Sequence, residues 1–226
     1  MIKSIRNIPK FNEKRGFMMD STTQKWLDWI AKLQSLAQAG LYYSHNDFDL
    51  ERYEEIRTIT VKMMASVSDL PLAKVRDLFC NETGYQTPKL DTRAAIFKDG
   101  KILLVHEGTG KWSLPGGWCD VDQSVASNTV KEAKEEAGLD VEIERVIAID
   151  DWRRHNKTNH PYGIIKIFSL CRVLGGDFRP NIETTETRYF AENELPEDLA
   201  VEKNSLDQIH RCFAAYHNSD WQTTVD

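Results

Sequence analysis

Apolar residues recur at spacings of three and four over residues 21–40, where Trp26, Ile30, Leu33 and Ala37 fall on one side. Ser21 or Thr22 offers an N-cap and Gly40 a stop, so the pattern predicts a helix. A second helix is predicted over residues 48–67, with Leu50, Tyr53, Ile56, Ile59, Met63 and Val67 along one stripe. A short third helix is predicted over residues 72–79, opened by Pro71. Three helices of this size bury little by themselves. They are expected to complete their burial on the next domain or on a second subunit.

Gly84 and Pro88 interrupt residues 81–89, which read as a linker. Short β-rich runs follow at residues 92–97 and 101–105, separated by Asp99-Gly100, a hairpin signal. A helix is predicted over residues 124–137, with Ser124 as N-cap and Gly138 at the left-handed position after its end. Apolar strands at residues 141–149 and 163–173 come next. A last helix at residues 205–216 carries Leu206, Ile209 and Phe213 on one face. The fold class is therefore α+β, with helices on the faces of a sheet. The chain divides into a flexible tail at 1–19, a helical domain at 20–80, a linker at 81–89 and an α+β domain at 90–226. The tail carries Lys3, Arg6, Lys10, Lys14 and Arg15 without the apolar run of a signal peptide, and no segment reaches transmembrane length.

Composition narrows the partners. With 41% hydrophobic and 28% charged residues, the 226-residue chain is an ordinary globular sequence with no membrane partner expected. Its formal net charge of -6 argues against nucleic acid. The second helix alone carries Asp49, Glu51, Glu54 and Glu55, which a duplex would repel, so the helical domain reads as a packing or dimerisation module. Cys80, Cys119, Cys171 and Cys212 are far apart and show no metal-ligand spacing; they read as reduced thiols of a cytoplasmic protein.

The candidate chemistry lies on the helix at 124–137. Glu132 is three residues from Glu135 and four from Glu136, so the three carboxylates can converge, while Ala126, Val130, Ala133 and Ala137 offer a small apolar face to a sheet. Taken alone, such a helix is a solvated acidic face with Lys131 and Lys134 as partners. Converging hard oxygens otherwise suit Mg²⁺ or Mn²⁺. The turn Pro115-Gly116-Gly117 just upstream favours the second reading, because paired glycines let backbone approach a ligand. Trp118 could lie on a base or sugar, or in the core. Arg93 and Lys111 are candidates for phosphate, or plain surface charges. The polar, basic stretch at 151–160 reads as a loop that could close over a substrate, and its His155 and His160 have no metal-ligand partner at a telling spacing.

Residues 117–139 resemble the Nudix box: Gly, five residues, Glu, seven residues, Arg-Glu, an aliphatic, any residue, Glu-Glu, any residue, Gly, an aliphatic. Gly117, Glu132, Glu135, Glu136, Gly138 and Leu139 fall in register, whereas Gln123 and Lys131 replace the box's Glu and Arg. Residues 79–89 and the helices before them resemble a bacterial Nudix subgroup with an N-terminal helical domain. The resemblance implies a Nudix α/β/α sandwich with a mixed sheet, preceded by a small all-α domain that forms a homodimer. It implies that Glu132, Glu135 and Glu136 hold Mg²⁺ or Mn²⁺, with Glu136 or Glu186 as the base. The implied reaction is hydrolysis of a nucleoside diphosphate linked to another moiety, ADP-ribose first and CDP-choline or its like second, releasing a nucleoside monophosphate. Arg93, Lys111, Gly116, Gly117 and Trp118 are the expected substrate-binding residues. The alternative, favoured by Gln123 and Lys131, is a non-catalytic nucleotide-ligand sensor.

Overall fold

The computed structural model describes residues 21–67, 75, 84–156 and 163–226, the side chains of residues 21–24 excepted. The expected tail, all of the third helix but Val75, and residues 157–162 of the polar loop lie outside the described residues.

Two helices, α1 (Ser21–Tyr43) and α2 (Asp47–Val67), form a hairpin. The Asn46 side chain caps α2 by accepting from the Phe48 N–H at 3.0 Å. Leu27, Ile30, Val61 and Met64 pack together with Val75. Two sequence expectations change here. Gly40 does not end α1 but lies inside it, because a Cβ there would come within 2.4 Å of the Tyr53 ring. The residue is small so that α2 can approach. The buried stripe is also rotated: Trp26, Leu33 and Ile59 are exposed, while Gln34, Gln38 and Thr60 are inside. The close seam accepts these polar groups because they satisfy one another, Thr60 Oγ1 donating to Gln34 Oε1 at 3.1 Å.

The remaining elements are β1 (Lys89–Lys98), β2 (Lys101–Glu107), β3 (Trp112–Ser113), α3 (Val125–Ala137), β4 (Leu139–Asp151), α4 (Trp152–His155), β5 (Ile164–Gly176), β6 (Thr184–Phe190), α5 (Leu206–His217) and β7 (Thr224–Val225). Asp99 and Gly100 both take positive φ, 53° and 73°, the two-residue turn whose twist matches its strands. The sheet order is β3-β2-β1-β5-β4-β7, with β6 on β2. Pairs β1–β5 and β4–β7 are parallel and the others antiparallel, giving the expected mixed sheet. On one face Ala133 and Ala137 of α3 meet Ala94, Ile96, Leu103, Val105 and Val141. On the other, Ile209, Cys212 and Phe213 of α5 meet Ala95, Leu104, Trp112, Ile147 and Phe168. The result is an α/β/α sandwich. Ala126 and Leu206 are exposed, each in the first turn of its helix before the inward face begins.

One topological detail places the site. β1 and β2 pair only beside their turn, at Phe97↔Ile102 and Lys98↔Lys101, and then part. The edge of β1 so freed is paired by the stretch at 115–119. The Ala94 N–H donates to Pro115 O, the Thr92 N–H to Gly117 O, and the Cys119 N–H to Leu90 O, at 2.8–2.9 Å. The Pro-Gly-Gly turn is thereby held against β1, beneath α3.

Candidate active site

Helix α3 is fixed at both ends. Ser124 and Ser127 form a reciprocal capping box, and Gly138 closes the helix in the left-handed region. The first turn of α3 is anchored by Asn128, whose amide donates to Thr92 Oγ1 at 2.9 Å and to Trp118 O at 3.2 Å. With its axial position set, the inward side of its last two turns delivers two carboxylates to the glycine turn. The Gly116 N–H donates to Glu136 Oε2 at 2.8 Å. A Cβ on Gly117 would lie 3.2 Å from Glu132 Oε2. Gly116 adopts φ 143°, and a Cβ there would fall 1.9 Å from Thr92 O, so only glycine fits. Glu132 and Glu136 are buried; Glu135 points outward.

A second layer of charge surrounds the turn. Arg93, 2% exposed, grips Asp91 through Nε at 2.7 Å and Nη2 at 2.6 Å, and donates to Leu114 O at 3.2 Å. Glu107 accepts from Ser113 Oγ at 2.6 Å and pairs with Lys203 at 2.7 Å. Asn204 Oδ1 accepts from the Leu114 N–H at 2.9 Å, so residues 203–204 brace the C-terminal end of β3, Asn204 directly and Lys203 through Glu107. Burial pushes the Glu136 carboxyl up to about 7, against the opposing pull of the Gly116 N–H, Arg93 and Lys203. Burial also raises Glu132, assisted by the nearby Glu135 charge and opposed by Lys131. For Glu107, burial acts upward but the bonds from Lys203 and Ser113 prevail, holding it low. Two inward carboxylates are thus left under-compensated beside a backbone turn, which is what a hard divalent cation would offset.

A NUDIX domain model matches residues 88–212, which is more than half of the chain. The chain belongs to the Nudix family. Its hydrolase class is that of the Nudix pyrophosphatases. Residues 24–79 match a second model, described as a UDP-X-like, N-terminal oligomerisation domain. The putative ADP-ribose pyrophosphatase YjhB of Bacillus subtilis (strain 168) is 39% identical over 203 residues, 89% of this chain and 97% of that protein. The crystal structure of an ADP-ribose pyrophosphatase from Streptococcus suis 89-1591 is 54% identical with a TM-score of 0.58, spanning 62% of this chain and 100% of that one. The crystal structure of a UDP-X diphosphatase is 30% identical with a TM-score of 0.58, over 89% of this chain and 98% of that one.

The Nudix box departures have a structural answer. Lys131 does not pair with Gln123; its Nζ reaches Asp120 at 3.1 Å, Glu135 at 3.2 Å and Glu132 at 3.3 Å. Asp120, three positions before Gln123, is the first of these partners and with them raises the Lys131 pKa. Among the other expected residues, Arg93 is no surface charge but a buried clamp on Asp91. Lys111 pairs with Glu202 at 3.3 Å. Trp118 is partly exposed, its backbone bridged to Asp91.

Glu186 lies on β6. It stands opposite His106 in the β2–β6 register and bonds Arg188 at 2.7 Å, whose guanidinium lies over Trp112 and Phe190. Those rings belong to the face covered by α5, whereas α3 covers the other. Sequence reading missed Asp91, Glu107, Ser113, Asn128, Lys203 and Asn204. Only Asp91, two residues from Arg93 and therefore on the same side of a strand, carried a local signal.

Proposed function

We propose that the chain hydrolyses the pyrophosphate bond of a nucleoside diphosphate linked to a second group, with ADP-ribose as the leading substrate and CDP-choline or a similar compound second. The carrying observation is the 2.8 Å bond from the Gly116 N–H to buried Glu136, with Glu132 alongside, which joins the glycine turn and the helix carboxylates in one place. The choice of ADP-ribose rests on the relatives from Bacillus subtilis and Streptococcus suis that carry that name.

The donor set fits Mg²⁺ or Mn²⁺: hard carboxylate oxygens from Glu132 and Glu136, with Glu135 at the rim. Such an ion, when bound, neutralises phosphate charge and acidifies a water. The chain's own residues do the rest. Gly116 fixes the Glu136 carboxylate by one oxygen and leaves the other for metal or for a proton. Arg93, locked by Asp91, holds the Leu114 carbonyl just before the turn. The exposed rim at Trp118 and Lys111 is where base or distal group would lie. Glu136, bonded to the glycine turn, is the proposed base or ligand, ahead of Glu186, which pairs with Arg188. The protein is proposed to act as a cytoplasmic homodimer; no helix among the described residues is long and apolar enough to cross a membrane.

The Lys131 ammonium on Glu132 and Glu135 favours a second reading, a nucleotide-ligand sensor that hydrolyses slowly or not at all, because this cation competes with metal. One assay separates the two. The purified chain is incubated with ADP-ribose, CDP-choline and other nucleoside diphosphate derivatives plus Mg²⁺ or Mn²⁺, and the released monophosphate is measured. Turnover of one compound, reduced at least about 10²-fold in Glu136→Gln, supports the enzyme. Tight binding of one compound with turnover of none supports the sensor.

A further inference from the structure

Away from the α3 carboxylates, the end of β4, helix α4 and the residue after β7 bring together Asp150, His155 and Asp226. One donor atom from each lies within 4.8 Å of the others. His155 Nε2 is 2.7 Å from Asp226 Oδ2 and 3.8 Å from Asp150 Oδ1. Both carboxylates are anchored by one oxygen and present the other. Asp150 Oδ2 accepts from Gln208 Nε2 at 2.8 Å and from Arg211, and Asp226 Oδ1 accepts from the Asp151 N–H at 2.8 Å.

Asp150 is fully buried, and its Oδ1, aimed at His155, has no hydrogen-bond partner. A buried acceptor left so is costly, and more so when charged. The single Nε2 position of His155, already in contact with Asp226, does not satisfy both acids. A cation at the shared point would.

We propose that Asp150 Oδ1, His155 Nε2 and a carboxylate oxygen of Asp226 bind a divalent transition-metal ion of the zinc type, with water completing its coordination. One imidazole nitrogen with two carboxylate oxygens is a mixed donor set that suits Zn²⁺, whereas Mg²⁺ and Ca²⁺ take oxygen alone. Gln208, Arg211 and the Asp151 N–H orient the ligands from behind, as the outer partners of metal sites do. The ion ties α4 and the segment after β7 to the end of β4, and the site is separate from the carboxylates of α3.

The test uses the full chain carrying Glu132→Gln and Glu136→Gln, which removes the competing carboxylates. Stripped of metal and titrated with Zn²⁺ against a chromophoric chelator, it is expected to bind about one equivalent and to melt at a higher temperature when loaded. Adding His155→Ala is expected to weaken binding at least about tenfold and to abolish the melting shift. Asp226→Asn, which keeps an acceptor for the Asp151 N–H, is the second variant and should do the same if His155→Ala fails to fold. Two results would overturn the proposal. One is that the double glutamine protein binds no zinc, leaving the cluster as an imidazolium clasp between two acids. The other is that zinc binds with unchanged affinity after either added substitution, which would place it elsewhere.

Discussion

Glu136 carries two consequences at the scale of a residue. Burial raises its folded pKa to about 7 from an ordinary value of 4.5, so the metal-free native state holds this proton more tightly than the unfolded chain does. The group's contribution to stability is therefore complete below about pH 4.5 and is lost as the pH rises to 7 and beyond. Glutamine at this position still accepts the Gly116 N–H but never ionises. Glu136→Gln is expected to be more stable than the parent at pH 8 without divalent metal, by an amount on the order of 3 kcal/mol. The gap should fall to about 1 kcal/mol near pH 5. Chemical denaturation at both pH values measures this, and a parent equally stable at pH 8 would contradict it. Saturating Mg²⁺ should narrow the gap at pH 8, since metal stabilises only the carboxylate form.

Among elements, the stretch at 115–119 matters most. It is held as an added strand on β1 because β1 and β2 separate after their turn, and this puts Gly116 between the Thr92 carbonyl and Glu136. An alanine at 116 would meet Thr92 O at 1.9 Å in a backbone conformation unsuited to it. The turn must then move, withdrawing its N–H from Glu136. Gly116→Ala is expected to fold, since α3 and the sheet keep their other contacts, but to lose about 10²-fold in kcat/KM. Steady-state kinetics beside a far-UV dichroism spectrum checks both halves; near-normal turnover would show that the turn is not needed where it stands. Lys166 supports the same region from below. Buried, and lowered by that burial to about 8, its ammonium donates to the carbonyls of Glu202 and Lys203, steadying the segment whose Lys203 holds Glu107.

For the whole molecule, the exposed side of α1 is the telling feature. Trp26, Trp29, Leu33 and Leu36 lie outward at spacings of three and four, with Trp29 54% exposed and the two indoles edge-to-face at 5.2 Å. A contiguous apolar stripe on a helix marks an interface, and the matching family model over residues 24–79 describes an oligomerisation domain. The chain is expected to be a dimer at micromolar concentration. Trp29→Glu with Leu36→Glu should give the monomer mass by light scattering while leaving the helical signal intact. A parent already monomeric, or a double variant still dimeric, would sink this assignment.

The sequence by itself determined whatever depends on neighbours along the chain. The Ser124 cap, the Asp99-Gly100 turn, the Gly138 stop and the spacing of Glu132, Glu135 and Glu136 are all local, because caps, turns and helical faces are set within a few residues. The alternation from helical to β-rich pattern likewise indicated an α+β domain with helices on the faces of a sheet, and the resemblance to the Nudix box implied the sandwich. Tertiary structure decided what depends on contact across distance. It made Arg93, a candidate for phosphate or a plain surface charge, a buried clamp on Asp91, gave Lys131 to Asp120, and paired Glu186 with Arg188. It made Gly40 a packing contact instead of a helix end. It also gave His155 two acidic partners, one of them 71 residues away, which no spacing could announce. Periodicity fixes which side of an element faces inward, but the partner it meets there is chosen by the path of the whole chain.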